Sequence, residues 1–158
     1  MGRLEGRTAI VTGGASGIGE ATVKLFIEEG CNVVIADRNE AMGNALAAQL
    51  GDRAHFMELD VRSEDDWKRV VSGTVAAFGG LNILVNCAGY GIMTNIETTT
   101  LDQWHEMFAV HADGAFLGAS QPSEALAWRP GRSGELDVSV VDDQGATATR
   151  RIRVAIAP

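Results

Sequence analysis

Residues 8–29 read TAIVTGGASGIGEATVKLFIEE, and the order of events inside that stretch decides the fold. Thr8–Thr12 is a short apolar run with the composition of a strand. A glycine cluster comes next and runs into an amphipathic segment, Gly17–Glu29, expected to form a helix with Ala21, Leu25 and Phe26 on its core face. Strand, glycine turn, helix is the arrangement a phosphate-binding turn needs. Gly13 permits the tight turn, Gly17 lets backbone N–H groups approach an anion with no Cβ in the way, and Gly19 lets the helix pack close to the sheet. The N-terminus of the helix then offers unpaired donors and a partial positive charge.

Reading outward, strand-like and helix-like segments alternate. Val33–Ala36 is a second apolar run, and Asn39–Leu50 a second helix with Asn39 as its N-cap. Ala54–Leu59 is a weaker strand. Ser63–Phe78 is a helix that opens on Ser63 and Asp66, a capping box with Asp in place of Glu. Ile83–Val85 is a fourth strand and Leu101–Leu117 a longer helix. This alternation predicts an α/β fold, a Rossmann-like doubly wound parallel sheet with helices on both faces, over residues 1–120. Near-continuous apolar strands fit burial on both faces. Asp37 ends the second strand, 20 residues after Gly17. A carboxylate there can accept hydrogen bonds from ribose hydroxyls and repel a 2′-phosphate, which makes NAD the expected cofactor. Arg38, next to it, works against that preference.

The bulk numbers set outer bounds. A chain of 158 residues with 46% hydrophobic residues fits one domain with a real core. A net charge of −8 and a pI near 4.8 disfavour nucleic acid and anionic membranes as partners. Cys31 and Cys87 form no CxxC pair and no ligand cluster with His55, His105 and His111, so two buried, reduced thiols and no metal are expected. Met1–Arg7 is too polar for a signal peptide, and no apolar run approaches the roughly 20 residues that cross a bilayer. A cytoplasmic location is the resulting expectation.

The character of the chain changes near Gln121. Residues 129–158 carry five arginines, no lysine and four acids, whereas residues 1–128 carry eight basic and 17 acidic residues. Arg129–Gly134 has loop chemistry. Leu136, Val138 and Val140 then alternate with polar residues, Asp142–Gly145 reads as a turn, and Ile152, Val154 and Ile156 alternate again. Residues 121–158 are expected to form an atypical tail. Leu136–Val141 has the length and apolar content of a fifth strand, but Asp137 and Ser139 stand where a strand buried on both faces wants apolar groups, so it is expected to pair weakly with Ala146–Ile156 as an edge hairpin or to remain mobile.

The glycine turn and the segments after it resemble the short-chain dehydrogenase/reductase family. The family's Thr-Gly-x-x-x-Gly-x-Gly loop is matched by Thr12, Gly13, Gly17 and Gly19, and its acid at the end of the second strand by Asp37. An Asp-Val pair that contacts adenine is matched by Asp60 and Val61. An Asn-Asn-Ala-Gly run is matched by Asn86, Cys87, Ala88 and Gly89, with Cys for the second Asn. Asp102–Gly118 is similar to the helix that comes next in the family. The resemblance thus implies a cofactor set of Gly13, Ser16, Gly17, Ile18 and Gly19 in the loop, with Asp37, Asp60, Val61, Asn86, Ala88 and Gly89 around it.

From Gln121 onward the family's other marks, a Ser and a Tyr-x-x-x-Lys, have no counterpart. In the family the Tyr is the general acid/base, the Lys lowers its pKa and the Ser orients the substrate oxygen. Here the one tyrosine is Tyr90, Thr94 stands four residues later, and the only lysines are Lys24 and Lys68. His111 stands at the family's Asn position in the long helix and is the one catalytic candidate; the plainer reading is a helix histidine satisfied by its neighbours. Tyr90 is expected to line a pocket, Trp67 and Trp104 to serve packing, and Ser139 lacks a base partner. The resemblance implies an NAD-dependent oxidoreductase of alcohols or ketones acting on a small-molecule substrate, catalytically impaired in this chain and possible as a homo-oligomer. The alternatives are a non-catalytic dinucleotide-binding module, or an incomplete dehydrogenase product whose tail is read in a shifted frame.

Overall fold

The computed structural model of the protein describes residues 2–92, 95, 97–120, 134–141 and 147–154, the last two segments as backbone. Four strands, β1 (Thr8–Thr12), β2 (Asn32–Asp37), β3 (Ala54–Glu58) and β4 (Ile83–Asn86), form a parallel sheet in the order β3-β2-β1-β4. Between them lie α1 (Gly17–Glu28), α2 (Glu40–Leu50) and α3 (Glu64–Phe78). After β4 the expected single long helix is two: α4 (Leu101–Phe108) and α5 (Gly114–Ser120), joined by a π-helical turn at Ala109–Asp113.

Alternate residues of the strands supply two cores, which is why the strands read as unbroken apolar runs. Ile10, Val34 and Ala36 face one side and pack with Leu59, Trp67, Val70 and Leu81 under α3 and α5. Ala9, Val11, Val33 and Ile35 face the other and pack with Val23 and Leu46 under α1 and α2. The docking stripe of α1 is Gly19 and Val23, with Phe26 and Ile27 beside them. Ala21 and Leu25, expected on that stripe, are exposed. A glycine in the first turn brings this face of the helix against the glycine turn and fixes its rotation.

Both expected caps form. Asn39 accepts the Met42 N–H at 3.1 Å, and Ser63 Oγ accepts the Asp66 N–H at 3.2 Å. Asp66 does not return the bond to Ser63. Its Oδ2 takes the Asp60 N–H at 3.0 Å instead and ties the helix start to the end of the β3 loop. Thr100 and Gln103 make a complete capping box at α4.

The π turn changes what the helix does. No residue of α4 is buried, and Leu101, Trp104 and Phe108 stand exposed, with Trp104 and Phe108 ring centroids 6.0 Å apart. Trp104 is therefore not a core residue as expected. Past the turn, Gly114 and Gly118 face inward: a Cβ on Gly114 would lie 2.8 Å from Val61, and one on Gly118 2.5 Å from the Trp67 ring. The small residues admit the Trp67 ring, which is wholly buried and donates its indole N–H to the Val61 carbonyl at 2.9 Å.

The backbones of β5 (Gly134–Val141) and β6 (Thr147–Val154) pair antiparallel, from Gly134 opposite Val154 to Val141 opposite Thr147. This is the hairpin pairing expected of Leu136–Val141. The expected loop at 129–133, the turn at Asp142–Gly145, Thr94 and the Ser139 side chain lie outside the described residues. Cα proximity divides the chain into residues 1–126 and 127–158.

Trp67→Ala is expected to lower unfolding stability by about 3–5 kcal/mol, because it removes a large buried ring and orphans the Val61 carbonyl. A denaturant titration monitored by circular dichroism measures it. A loss below about 1 kcal/mol would mean that α5 does not depend on this contact.

Candidate functional site

The site begins where β1 and β4 end side by side, with Thr12 opposite Asn86. Thr12 Oγ1 accepts the N–H groups of Cys87 and Ala88, both at 3.1 Å, and donates to the Val85 carbonyl at 3.4 Å. One hydroxyl thus binds the turn after β1 to the loop after β4. Gly13 has φ 63°, and a Cβ there would lie 2.9 Å from the Ala88 backbone. Glycine is needed at this point for both conformation and space. A Cβ on Gly19 would strike the Gly13 carbonyl, so Gly19 lets α1 close onto the turn itself, not onto the strands as expected.

Above these glycines is a cleft of about 340 Å³. Gly13, Ser16, Gly17, Ile18 and Gly19 form its floor and one wall. Asp37 and Arg38 stand at the end of β2, and Asp60 and Val61 come just after β3. Ala88, Gly89 and Tyr90 close the side after β4. Every cofactor candidate from the sequence lines this cleft except Asn86. Asn86 lies in an adjoining cavity of about 80 Å³ with Thr12, His111 and Gly114.

The residues present fit a dinucleotide. Gly17 has φ 55°, and no atom comes within 4 Å of where its Cβ would be, so a side chain there would occupy open space at the cleft. The Ser16 side chain caps none of the N–H groups of the first turn of α1, which leaves the helix N-terminus to a ligand. Asp37 is held before any ligand arrives: Oδ2 accepts the Ala15 N–H at 3.1 Å and Oδ1 the Asn39 N–H at 2.9 Å. It is part of the glycine turn's scaffold as well as of the cleft wall.

Asp60 is fixed differently. Its carboxylate accepts the Arg62 backbone N–H at 3.0 Å and faces the Arg62 guanidinium, with Nη2 to Oδ2 at 2.6 Å. Arg62 Nη1 also lies 3.7 Å from the Glu106 carboxylate on α4. The Arg62 guanidinium holds the Asp60 carboxyl below the ordinary carboxylate range, against the opposing effect of burial. Asp66 is held low as well, first by the Asp60 N–H and then by Arg69. Sequence reading misses this network, although the Arg62 position two residues after Asp60 is visible.

His111, the catalytic candidate, does not line the main cleft. Its Nε2 lies 2.9 Å from the Tyr90 carbonyl and 3.2 Å from the Tyr90 nitrogen, and a Cβ on Gly89 would strike the ring. It is satisfied by the backbone it packs on. Tyr90 lines the cleft, as expected, and its hydroxyl is shielded with no hydrogen-bond partner among the described residues. Desolvation, and after it the negative charge of Glu106, push the phenol upward. Cys31 is buried, which pushes its thiol up to about 11. Cys87, expected to be buried too, is only half-buried and lines the cleft. Among the described residues no cluster of His, Cys, Asp and Glu could hold a metal ion, and no helix is long and apolar enough to cross a membrane.

Comparison with known proteins points one way. The sequence profile of the family described as short chain dehydrogenase matches residues 7–136, past Gln121, where the sequence alone loses the resemblance. A 3-beta-hydroxysteroid dehydrogenase of Comamonas testosteroni is 42% identical over 124 residues, which cover 78% of this chain and 49% of that protein. Tropinone reductase-like 1 of Erythroxylum coca is 42% identical over 128 residues, covering 78% and 47%. Among solved structures, a 3-ketoacyl-(acyl-carrier-protein) reductase of Brucella melitensis complexed with NADH superposes with a TM-score of 0.71 at 35% identity, over 73% of this chain and 48% of that one. The chain spans about half the length of the curated relatives it matches.

The Asp60 and Asp66 carboxyls sit below their ordinary values in the folded protein, so each contributes stability that is present above the unfolded carboxylate pKa and is lost as pH falls through the folded value. Unfolding free energy should therefore decline from about pH 5 downward, and Asp60→Asn should make that decline shallower. Chemical denaturation across the acid range measures both. An acid limb identical in the variant would mean that the Asp60–Arg62 pair contributes nothing net.

Proposed function

The chain belongs to the short-chain dehydrogenase family, and on that premise we propose that its cleft holds NAD in preference to NADP and serves an oxidoreductase of alcohols or ketones. The observation that carries the reading is Asp37, at the end of β2 on the wall of the cleft that the glycine turn floors. The glycine turn and the first turn of α1 receive the pyrophosphate. Asp37 accepts the ribose hydroxyls and opposes a 2′-phosphate, and Asp60 and Val61 flank the adenine. The chemistry such a group supplies when bound is hydride transfer. The NADH in the Brucella reductase supports a nicotinamide dinucleotide for this cleft.

The proton side of the reaction is where this chain falls short. Tyr90 is its only tyrosine, and burial and Glu106 move that phenol away from the range in which it exchanges a proton near neutral pH. Arg62 and Arg38 pull the other way without offsetting this, and the two lysines are engaged elsewhere. Lys24 pairs with Glu20 along α1, and Lys68 with Glu64 along α3. His111 spends its Nε2 on the Tyr90 backbone. We therefore read these 158 residues as a cofactor-binding unit with little or no turnover of their own. The exposed Leu101, Trp104 and Phe108 of α4 support self-association.

Calorimetry should find NADH binding tighter than NADPH, and Asp37→Ser should narrow or reverse the difference. Tighter NADPH binding by the unaltered chain, or a preference unchanged in the variant, overturns the assignment of that carboxylate.

Turnover of simple secondary alcohols with NAD should be absent or residual, since a general acid–base group contributes roughly 10²–10⁴-fold. Family-like rates from the purified chain would show that a proton donor other than the family tyrosine operates. Loss of those rates in His111→Ala would identify it.

A further inference from the structure

Arg62 lies just outside the cleft, yet it governs the side chain that the cleft presents next to Val61. Three of its nitrogens are on Asp60: the backbone N–H to Oδ1 at 3.0 Å, Nε shared between Oδ1 at 3.0 Å and Oδ2 at 3.2 Å, and Nη2 to Oδ2 at 2.6 Å. The remaining guanidinium nitrogen reaches Glu106 on α4 at 3.7 Å. The Asp60 backbone is fixed from the opposite side, where its N–H donates to Asp66. A carboxylate free to rotate would offer its lone pairs in many directions, and a ligand would have to order it on binding. Here the rotamer is already chosen, and Asp60, its side chain 31% exposed, presents it on the cleft wall.

We propose that Arg62 is a positioning residue for adenine recognition: it holds the Asp60 carboxylate in the one orientation that accepts a hydrogen bond from the exocyclic amino group of the adenine ring. This rests on the reading of the cleft as a dinucleotide site and adds to it which residue sets base specificity. Arg62 acts through its fork, which fixes the direction of the ionised acceptor. The contact to Glu106 carries the same restraint to α4, so the adenine wall and that helix share one arginine.

The test uses two probes that differ only at the adenine amino group, NADH and its deamino analogue carrying hypoxanthine. Calorimetry on the full 158-residue chain gives both affinities for the unaltered protein, Arg62→Ala and Arg62→Lys. The unaltered chain should prefer NADH. Arg62→Ala should weaken NADH by about tenfold, as for a lost hydrogen bond to a charged group, and the deamino analogue by no more than about twofold. Arg62→Lys, which keeps the charge but loses the fork, should fall between. Circular dichroism checks that each variant is folded; Arg62 is partly exposed, its side chain at 37% of full accessibility, and removing it opens no core cavity. Equal losses for both probes in Arg62→Ala overturn the positioning role and leave the cleft assignment intact. So does an unaltered chain that binds both probes equally. An unaltered chain that binds neither overturns the cleft assignment, and the role of Arg62 with it.

Discussion

Two backbones meet at Gly13 and Ala88 with no side chain between them, and the rest of the site depends on that contact. A Cβ at Gly13 would lie 2.9 Å from the Ala88 backbone, so a larger residue would push the β1 turn off the β4 loop. The one side chain admitted is Thr12, and it is admitted because its hydroxyl answers two N–H groups and a carbonyl. β1 lies between β2 and β4, and the chain leaves it for α1 on one face and returns to its other side through α3 on the opposite face, so a crevice opens at its end. The two apolar cores hold Thr12 level with Asn86 and Ala36, and that register sets the mouth of the crevice over the turn.

The local features are legible in sequence because they are decided within a few residues. The Asn39 and Ser63 caps close on N–H groups three residues away, and the strands and the glycine turn announce themselves by local composition even though their partners lie far along the chain. Asp37 is legible because strand length fixes its distance from the turn. The features that do not show in sequence depend on distant partners. The π turn at Ala109–Asp113 leaves the hydrophobic pattern of 101–117 continuous, so the pattern predicts one helix where the axis is interrupted. Trp104 has the composition of a core residue but sits on the half of the helix that faces solvent. Apolarity assigns Leu25 to the core, whereas the rotation of α1 is set by the absence of a side chain at Gly19. Asp66 has the spacing of a capping box, yet its carboxylate goes to the Asp60 N–H, a choice open only once the β3 loop is folded beside the helix. The Asp60–Arg62–Glu106 link joins positions 44 residues apart that come together only when α4 is placed.

The two acids of the cleft are held by opposite means, and the difference assigns them different work. Asp60 faces a guanidinium at 2.6 Å, so its charge is largely balanced locally and its value to a ligand is directional. Asp37 is held by two backbone N–H groups, from Ala15 and Asn39. Dipoles fix it without cancelling its charge. On the proposed reading, rejection of a 2′-phosphate therefore falls to Asp37 and not to Asp60. Two unit charges about 4 Å apart repel by roughly 1 kcal/mol in water and about 4 kcal/mol near a protein surface, so one unbalanced carboxylate suffices for a clear preference. Arg38 lies beside it on the same wall and takes back part of that repulsion. Because Asp37 also accepts the Ala15 N–H, a replacement without an acceptor loosens the turn that this reading assigns to the pyrophosphate. Cofactor preference and cofactor affinity are thus coupled through one side chain. A substitution there has to keep an acceptor for Ala15 if it is to change the first without losing the second.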